Sequence, residues 1–269
     1  MKIHSSVYVV VIAAAFFLVS CASKKNNPDY IKVGIASGPE MGIAEAAKKE
    51  AKEKYGLEVE LVSFSDYVLP NEALHLGDID VNAFQHVPYL NEQSKQRGYK
   101  LAVLGNTFVY PIVAYSKKIK NTLELQNGST IAIPNDPTNG GRSLLLLQKN
   151  GLLKLKDNIG LLPKVTDIVD NPRQLKILEI EAPQLPRVLD DKEVAIAIIN
   201  NNFAAQAGLN ADEYGIFKED KESPYVNVIV SRDDNKNEEK VKKFVKAYQS
   251  QAVADAAVKL FKGGAVKGW

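Results

Sequence analysis

From Tyr30 onward the apolar positions switch repeatedly between a period of two and a period near 3.6. Ile31–Ala36 reads as a strand ended by Gly38 and Pro39. Ile43, Ala46, Ala47, Ala51 and Tyr55 then fall at helical spacing, with Gly56 placed to cap the helix. Leu57–Leu61 alternates like a strand with one wet face. Asp80–Phe84 is a third strand, followed by a helix ending near Gly98, and Leu101–Leu104 and Tyr110–Tyr115 continue the series. A second block repeats the alternation. Thr130–Pro134 is a strand, Gly141–Asn150 a helix closed by Gly151, and Leu175–Ile180, Val194–Ile199 and Tyr225–Val230 are further strands. Two amphipathic helices follow, one marked by Val241, Phe244, Val245 and Tyr248, the other by Val253, Ala257, Leu260 and Phe261. Strands alternating with helices predict an α/β protein, and two such blocks predict two lobes with a cleft between them.

The start of the chain follows a different pattern. After Lys2, Val7–Val19 is an unbroken apolar run of 13 residues. As a helix it would reach only about 20 Å, short of the ~30 Å core of a bilayer. It reads as the apolar region of a signal peptide, residues 1–20. Leu18-Val19-Ser20-Cys21 looks like the lipobox of bacterial lipoproteins, in which the cysteine is acylated and becomes the first mature residue. The alternative is ordinary secretory cleavage near Ala22. Residues 21–29 are then the lipidated cysteine and a polar tether.

Composition narrows the function by exclusion. The 269 residues are 45% apolar and 25% charged, with 34 basic and 32 acidic side chains. Loss of Lys2 with the signal peptide leaves 33 against 32, so no basic excess is available for nucleic acid. Cys21 is the sole cysteine and belongs to the anchor, which leaves no disulfide, thiol nucleophile or cysteine-rich metal cage. His75 and His86, the histidines outside the signal peptide, lie in no metal-binding or triad spacing. Gly34, Gly38 and Gly42 sit at a strand-to-helix turn without the dinucleotide-binding spacing, and read as a tight turn with close helix packing. Asp190-Asp191 and Asp233-Asp234 read as solvated loops. No catalytic constellation and no cofactor motif is present, and we read the chain as a binding protein rather than an enzyme.

Three segments carry binding chemistry. In Pro134–Leu144 a strand ends, a loop punctuated by Pro and Gly follows, and a helix begins with Arg142 in its first turn. The helix dipole disfavours a cation there, so Arg142 either grips a ligand carboxylate through its planar fork or pairs with a nearby Asp at the surface. Asn82–Leu90 brings Phe84, His86 and Tyr89 together after a strand, with Tyr67 upstream. These rings line an aromatic pocket suited to an apolar or thioether side chain, or are core aromatics. Asn200-Asn201-Asn202-Phe203 ends a strand, and Asn227 lies inside one, where its amide needs partners from a ligand or from a loop.

These segments, with Phe64–Leu74, Gly105–Pro111, Glu181–Arg187, Ser223–Asn227 and Gly263–Trp269, make the mature chain resemble the methionine-binding lipoproteins, the substrate-binding subunits of methionine ABC importers. The resemblance implies a two-lobed, periplasmic-binding-protein-like fold of type II, with lobe one from 30–112 and 227–269 and lobe two from 113–226. It implies that Arg142 and Asn139 hold the ligand carboxylate, that Asn200 and Asn227 fix its amino and carboxylate groups, and that Tyr67, Phe84, His86 and Tyr89 enclose the thioether. It further implies a monomer, lipid-anchored in the bacterial cell envelope, whose partners are methionine, in the L form or also the D form, and the permease and ATPase subunits of an importer. Arg142→Ala is then expected to abolish most amino-acid binding and leave the thermal melt nearly unchanged. Gly140 departs from the family's bulkier apolar residue, and Asn201-Asn202-Phe203 from a Thr-Thr-Tyr-like run; both bear on loop stiffness and ligand preference. Two other readings stay open: a surface adhesin with a vestigial cleft, and the same fold taking a methionine dipeptide or another amino acid.

Overall fold

A computed structural model describes residues 27–220, 222–261 and 264–269. The signal peptide, Cys21 and the tether up to residue 26 lie outside the described residues. The first block forms β1 (Tyr30–Ala36), α1 (Pro39–Tyr55), β2 (Glu58–Phe64), α2 (Leu69–Leu76), β3 (Val81–His86), α3 (Val87–Arg97) and β4 (Leu101–Val109). The second forms β5 (Val113–Tyr115), β6 (Thr130–Pro134), α4 (Pro137–Lys149), β7 (Lys154–Leu155), β8 (Ile168–Asp170), β9 (Lys176–Ile180), α5 (Leu185–Val188), β10 (Val194–Ile199), α6 (Asn201–Gln206), α7 (Ala211–Tyr214) and β11 (Gly215–Lys218). The chain then returns through β12 (Val226–Arg232), α8 (Glu239–Tyr248), α9 (Gln251–Phe261) and β13 (Val266–Lys267).

Two main sheets result, ordered β13-β4-β12-β3-β1-β2 and β11-β5-β10-β6-β9. β1 lies between two parallel neighbours, β2 and β3, and β6 likewise between β9 and β10. β12 joins the first sheet antiparallel to both β3 and β4, although it follows the second block in sequence. The chain therefore passes between the sheets twice, from β4 to β5 and from β11 to β12. The fold is two-lobed, and its cleft lies beside these passages.

Each lobe has its own core. On the first, Ile31, Val33 and Ile35 of β1 pack with Ile43 and Ala47 of α1 and with Phe244 and Tyr248 of α8. Burying one such side chain contributes roughly 1.5–3 kcal/mol. The second sheet is covered on both faces, by Leu144 and Leu147 on one side and by Leu185 and Phe203 on the other. That double burial explains why Val194–Ile199 is an uninterrupted apolar run. α1 ends at Gly56 with φ 65°, a conformation open to glycine at no steric cost.

Several boundaries differ from expectation: β4 runs on to Val109 instead of ending at Leu104, β3 reaches His86 and β2 Phe64, and two further shifts have a local cause. β5 begins at Val113 rather than Tyr110, since Pro111 has no N–H for a ladder and 110–112 is the passage between lobes. α4 begins at Pro137, four residues before Gly141. Pro137 occupies the first turn, where a missing N–H costs nothing, and Asp136 caps the helix from outside. No helix among the described residues is long and apolar enough to cross a membrane.

Candidate functional site

The aromatic side of the cleft is built from the end of β3 and the start of α3. β3 is buried along its whole length despite Asn82 and Gln85. Their amides close a network with Asn71 of α2: Asn71 Nδ2 donates to Gln85 Oε1 at 2.8 Å, and Gln85 Nε2 donates to Asn71 Oδ1 at 2.6 Å. A satisfied buried network of this kind fixes one position for the strand. His86 caps α3, its Nδ1 accepting from the Tyr89 backbone N–H at 3.1 Å. The ring proton is therefore on Nε2, which faces Asn139 Oδ1 at 3.4 Å. Burial, reinforced by the Arg142 charge, pushes the His86 pKa down to about 3, so the ring is neutral. The Tyr89 hydroxyl donates to the Tyr67 carbonyl at 2.8 Å. The Tyr67 ring lies 5.8 Å from Phe84 and 4.8 Å from Phe203, which reaches across from α6.

The polar side is built on α4. Asp136 Oδ1 accepts from the N–H groups of Thr138 and Asn139, and its Oδ2 accepts from Asn139 Nδ2 at 2.9 Å. Asn139 Oδ1 in turn accepts from Asn200 Nδ2 at 2.9 Å. Both ends of the Asn139 amide are thus held within the protein. Arg142 lies in the second turn of α4, not the first, because the helix starts early. It is 3% exposed, and the expected alternative of a surface pair with Asp is replaced by a buried fork onto Glu219. Its Nε donates to Glu219 Oε1 at 3.0 Å, and its Nη2 to Glu219 Oε2 and to the Tyr110 carbonyl, the latter at 3.1 Å. The Tyr225 ring covers the guanidinium at 4.4 Å. Nη1 is the nitrogen that these contacts leave over. Asn227 Nδ2 donates to the Phe84 carbonyl at 3.0 Å, tying β12 to the aromatic side.

One cavity, partly open to solvent, brings all these groups together. Tyr67, Phe84, His86 and Tyr89 line one side of it, and Asn139, Arg142, Asn200 and Asn227 the other. None of the eight residues singled out in the sequence falls elsewhere. The cavity also takes in Glu40, Gln85, Tyr110, Asn201 and Asn202. Of these, Asn201 and Asn202 carried a sequence signal as part of the asparagine run, while Gln85 and Tyr110 lay within segments noted in the sequence without being singled out. Glu40 follows Gly38-Pro39 and gave no sign of its burial. Glu219 sits in the charged run Lys218-Glu219-Asp220, which resembles any solvated loop. Among the described residues, three buried polar atoms of the lining have no partner: Asn200 Oδ1, Asn202 Oδ1 and the Tyr110 hydroxyl. A site with an aromatic wall, a guanidinium and unpaired amide oxygens suits a small molecule with an apolar tail, an anionic end and a donor-rich end.

A cleft between two α/β lobes, lined in this way and crossed by two chain passages, defines the class of the two-lobed solute-binding proteins. Residues 31–269 match the family described as NlpA lipoprotein. The chain is 62% identical over 268 residues to the D-methionine-binding lipoprotein MetQ of Escherichia coli strain K12, spanning 100% of this chain and 99% of that protein. A nutrient-binding protein from Burkholderia cenocepacia, solved bound to methionine, superposes with a TM-score of 0.86 at 48% identity, covering 89% of this chain and 100% of that one. A periplasmic substrate-binding protein of an ABC transporter from Coxiella burnetii gives a TM-score of 0.85 at 46% identity, covering 88% and 100%. The chain belongs to the NlpA lipoprotein family.

Proposed function

We propose that this protein captures methionine and delivers it to an ABC importer. The observation that carries the reading is the meeting, in one cavity, of an aromatic wall with Arg142, whose Nη1 is free for a ligand carboxylate. Relatives named for methionine binding, and a neighbour solved with methionine, support it. Tyr67, Phe84, His86 and Tyr89 enclose the thioether, and each sulfur–ring contact contributes roughly 0.3–1.5 kcal/mol. Arg142 meets the carboxylate, Asn200 and Asn227 orient the polar end, and Asn139 positions Asn200 and His86. Residues 30–112 with 227–269 form one lobe and 113–226 the other, and the ligand stabilises their closed arrangement. No chemical step is involved. Cys21 carries the lipid that holds the domain at the envelope membrane, and the importer's ATPases supply the energy.

The test is calorimetric titration of the full chain in detergent with L- and D-methionine, after unfolding and refolding to remove carried-over ligand. Saturable binding of either isomer, with leucine weaker by tenfold or more, is the expected result. A flat trace from folded protein sinks the reading.

A further inference from the structure

A guanidinium has five N–H donors, and in Arg142 the protein itself engages three of them. Nε and one hydrogen of Nη2 go to the two oxygens of Glu219, and the other hydrogen of Nη2 goes to the Tyr110 carbonyl. The Tyr225 ring covers the plane. All three partners stand on the passages between the lobes, Tyr110 on the first, Glu219 and Tyr225 on the second. The passages are also joined directly, since the Glu219 backbone N–H donates to the Ile112 carbonyl at 3.0 Å. Arg142 itself projects from α4 of the second lobe. One side chain therefore ties that lobe to both passages.

Arg142 lines the ligand cavity, whereas Glu219 lines a different groove, shared with Pro111, Leu209 and Phe261. Glu219 thus approaches the guanidinium from the passages and not from the ligand's side. A carboxylate is usually gripped by two parallel N–H bonds from one edge of the fork. In Arg142 both such edges contain the engaged Nη2, so a carboxylate arriving from the cavity meets Nη1 alone. With one nitrogen making the grip, affinity depends on where the guanidinium points. We propose that Glu219 is the positioning residue for ligand capture, holding Arg142 turned so that Nη1 faces the carboxylate, both before the ligand arrives and while it is bound. This assignment rests on the reading of Arg142 as the carboxylate's partner and adds the residue that aims it.

Glu219 acts on the ligand in two opposed ways. Its charge offsets that of the guanidinium, which by itself weakens the pull on a second carboxylate. Its two bonds remove the rotational freedom of a long side chain, so the ligand does not have to order it. Glutamine at this position separates the two effects. It has the same shape without the charge, and it cannot accept from both Nε and Nη2, because one end of its amide is a donor. The gain in free positive charge is limited, since a guanidinium only 3% exposed is poorly solvated without its counter-ion. Loss of aim therefore outweighs gain of charge, and binding weakens.

The experiment follows the arginine side-chain N–H signals of the isotope-labelled full chain in detergent by NMR, with Arg142→Lys identifying those of Arg142. In the ligand-free wild type the Nη hydrogens of Arg142 are expected to give separate signals, because a held guanidinium does not rotate. L-methionine should shift the Nη1 signals and leave Nε–H in place. By calorimetry Glu219→Gln should weaken L-methionine about tenfold, while the Nη signals of Arg142 merge into one average. Methionine that shifts Nε–H as far as Nη1 would make Glu219 a stand-in that the ligand displaces. Binding by Glu219→Gln as tight as wild type or tighter would leave Glu219 only its charge, and weaker binding with the Nη signals still separate would make its role structural. Each of these overturns the assignment alone. Wild-type protein that binds neither L- nor D-methionine overturns the methionine reading and this assignment together.

Discussion

α1 and α4 occupy matching places in the two lobes, and their first turns are built differently. Each follows a strand held between two parallel neighbours, each has proline in its first turn, and each begins beside the cleft. α4 is capped by Asp136, whose two oxygens are filled by Thr138 and Asn139. α1 starts at Gly38 with φ 100° and no side-chain cap, and its acidic residue, Glu40, lines the cavity with no partner for its carboxyl among the described residues. An acid at a helix start is structural when its oxygens close the first turn, and available to a ligand when they do not. The same distinction separates Glu219 from Glu40, since only Glu219 has an arginine.

The largest effect should come from the capped lobe. Arg142→Ala is expected to weaken methionine binding more than 100-fold. It should also lower the melting temperature, contrary to the expectation from sequence of an unchanged melt. Glu219, with a side chain only 15% exposed, would be left without its guanidinium. Breaking a buried pair by removing one partner typically costs about 3–5 kcal/mol, which for a chain of this size corresponds to a fall on the order of 10 °C. Arg142→Met combined with Glu219→Leu should recover most of the melt and none of the binding, measured by scanning calorimetry and titration. A single variant that melts like wild type would show that Glu219 is solvated when alone.

The sequence revealed the cleft's two sides unequally. The aromatic side was legible because Phe84, His86 and Tyr89 fall within six residues, at the end of one strand and the start of the next helix, and strand and cap geometry place neighbours together. On the polar side Arg142 stood out, but its partner lies 77 residues further along, in a charged run with no apolar periodicity to show that it is buried. Long-range pairing of that kind leaves no local trace. Glu40 is the same case: Gly38-Pro39 announced a helix start, while its burial depends on α6 and α8, which arrive from distant parts of the chain. The alternating elements were visible for similar reasons. The short α2, α5, α6 and α7 were not, being four to eight residues long and held by tertiary contacts rather than by their own periodicity.

A middle-sized effect tests whether Asp136 is as structural as its bonds suggest. Asp136→Ala removes a cap and should cost about 1 kcal/mol of stability. It also frees the Asn139 amide, which holds Asn200 and His86 in place, so affinity should fall severalfold as well. Glu40→Gln should show the reverse profile, with lost affinity and no lost stability. Paired thermal melts and titrations of the two variants decide it, and matching profiles would erase the contrast between the helix starts.

The smallest effect concerns how the uncapped start is held across the cleft. The Ser37 carbonyl, just before α1, accepts from Asn202 Nδ2 and from Gln206 Nε2 at 2.8 Å, and both donors belong to α6 of the other lobe. Asn202 is buried and Gln206 is exposed, so water can replace the second bond at little cost. Gln206→Ala should leave the melt unchanged and weaken methionine by about twofold or less, through faster dissociation as the closed arrangement loses one tie. Stopped-flow dissociation rates would show it. A tenfold acceleration would mean that α6, rather than the ligand's own contacts, supplies most of the grip on α1, and that the missing cap is compensated from across the cleft.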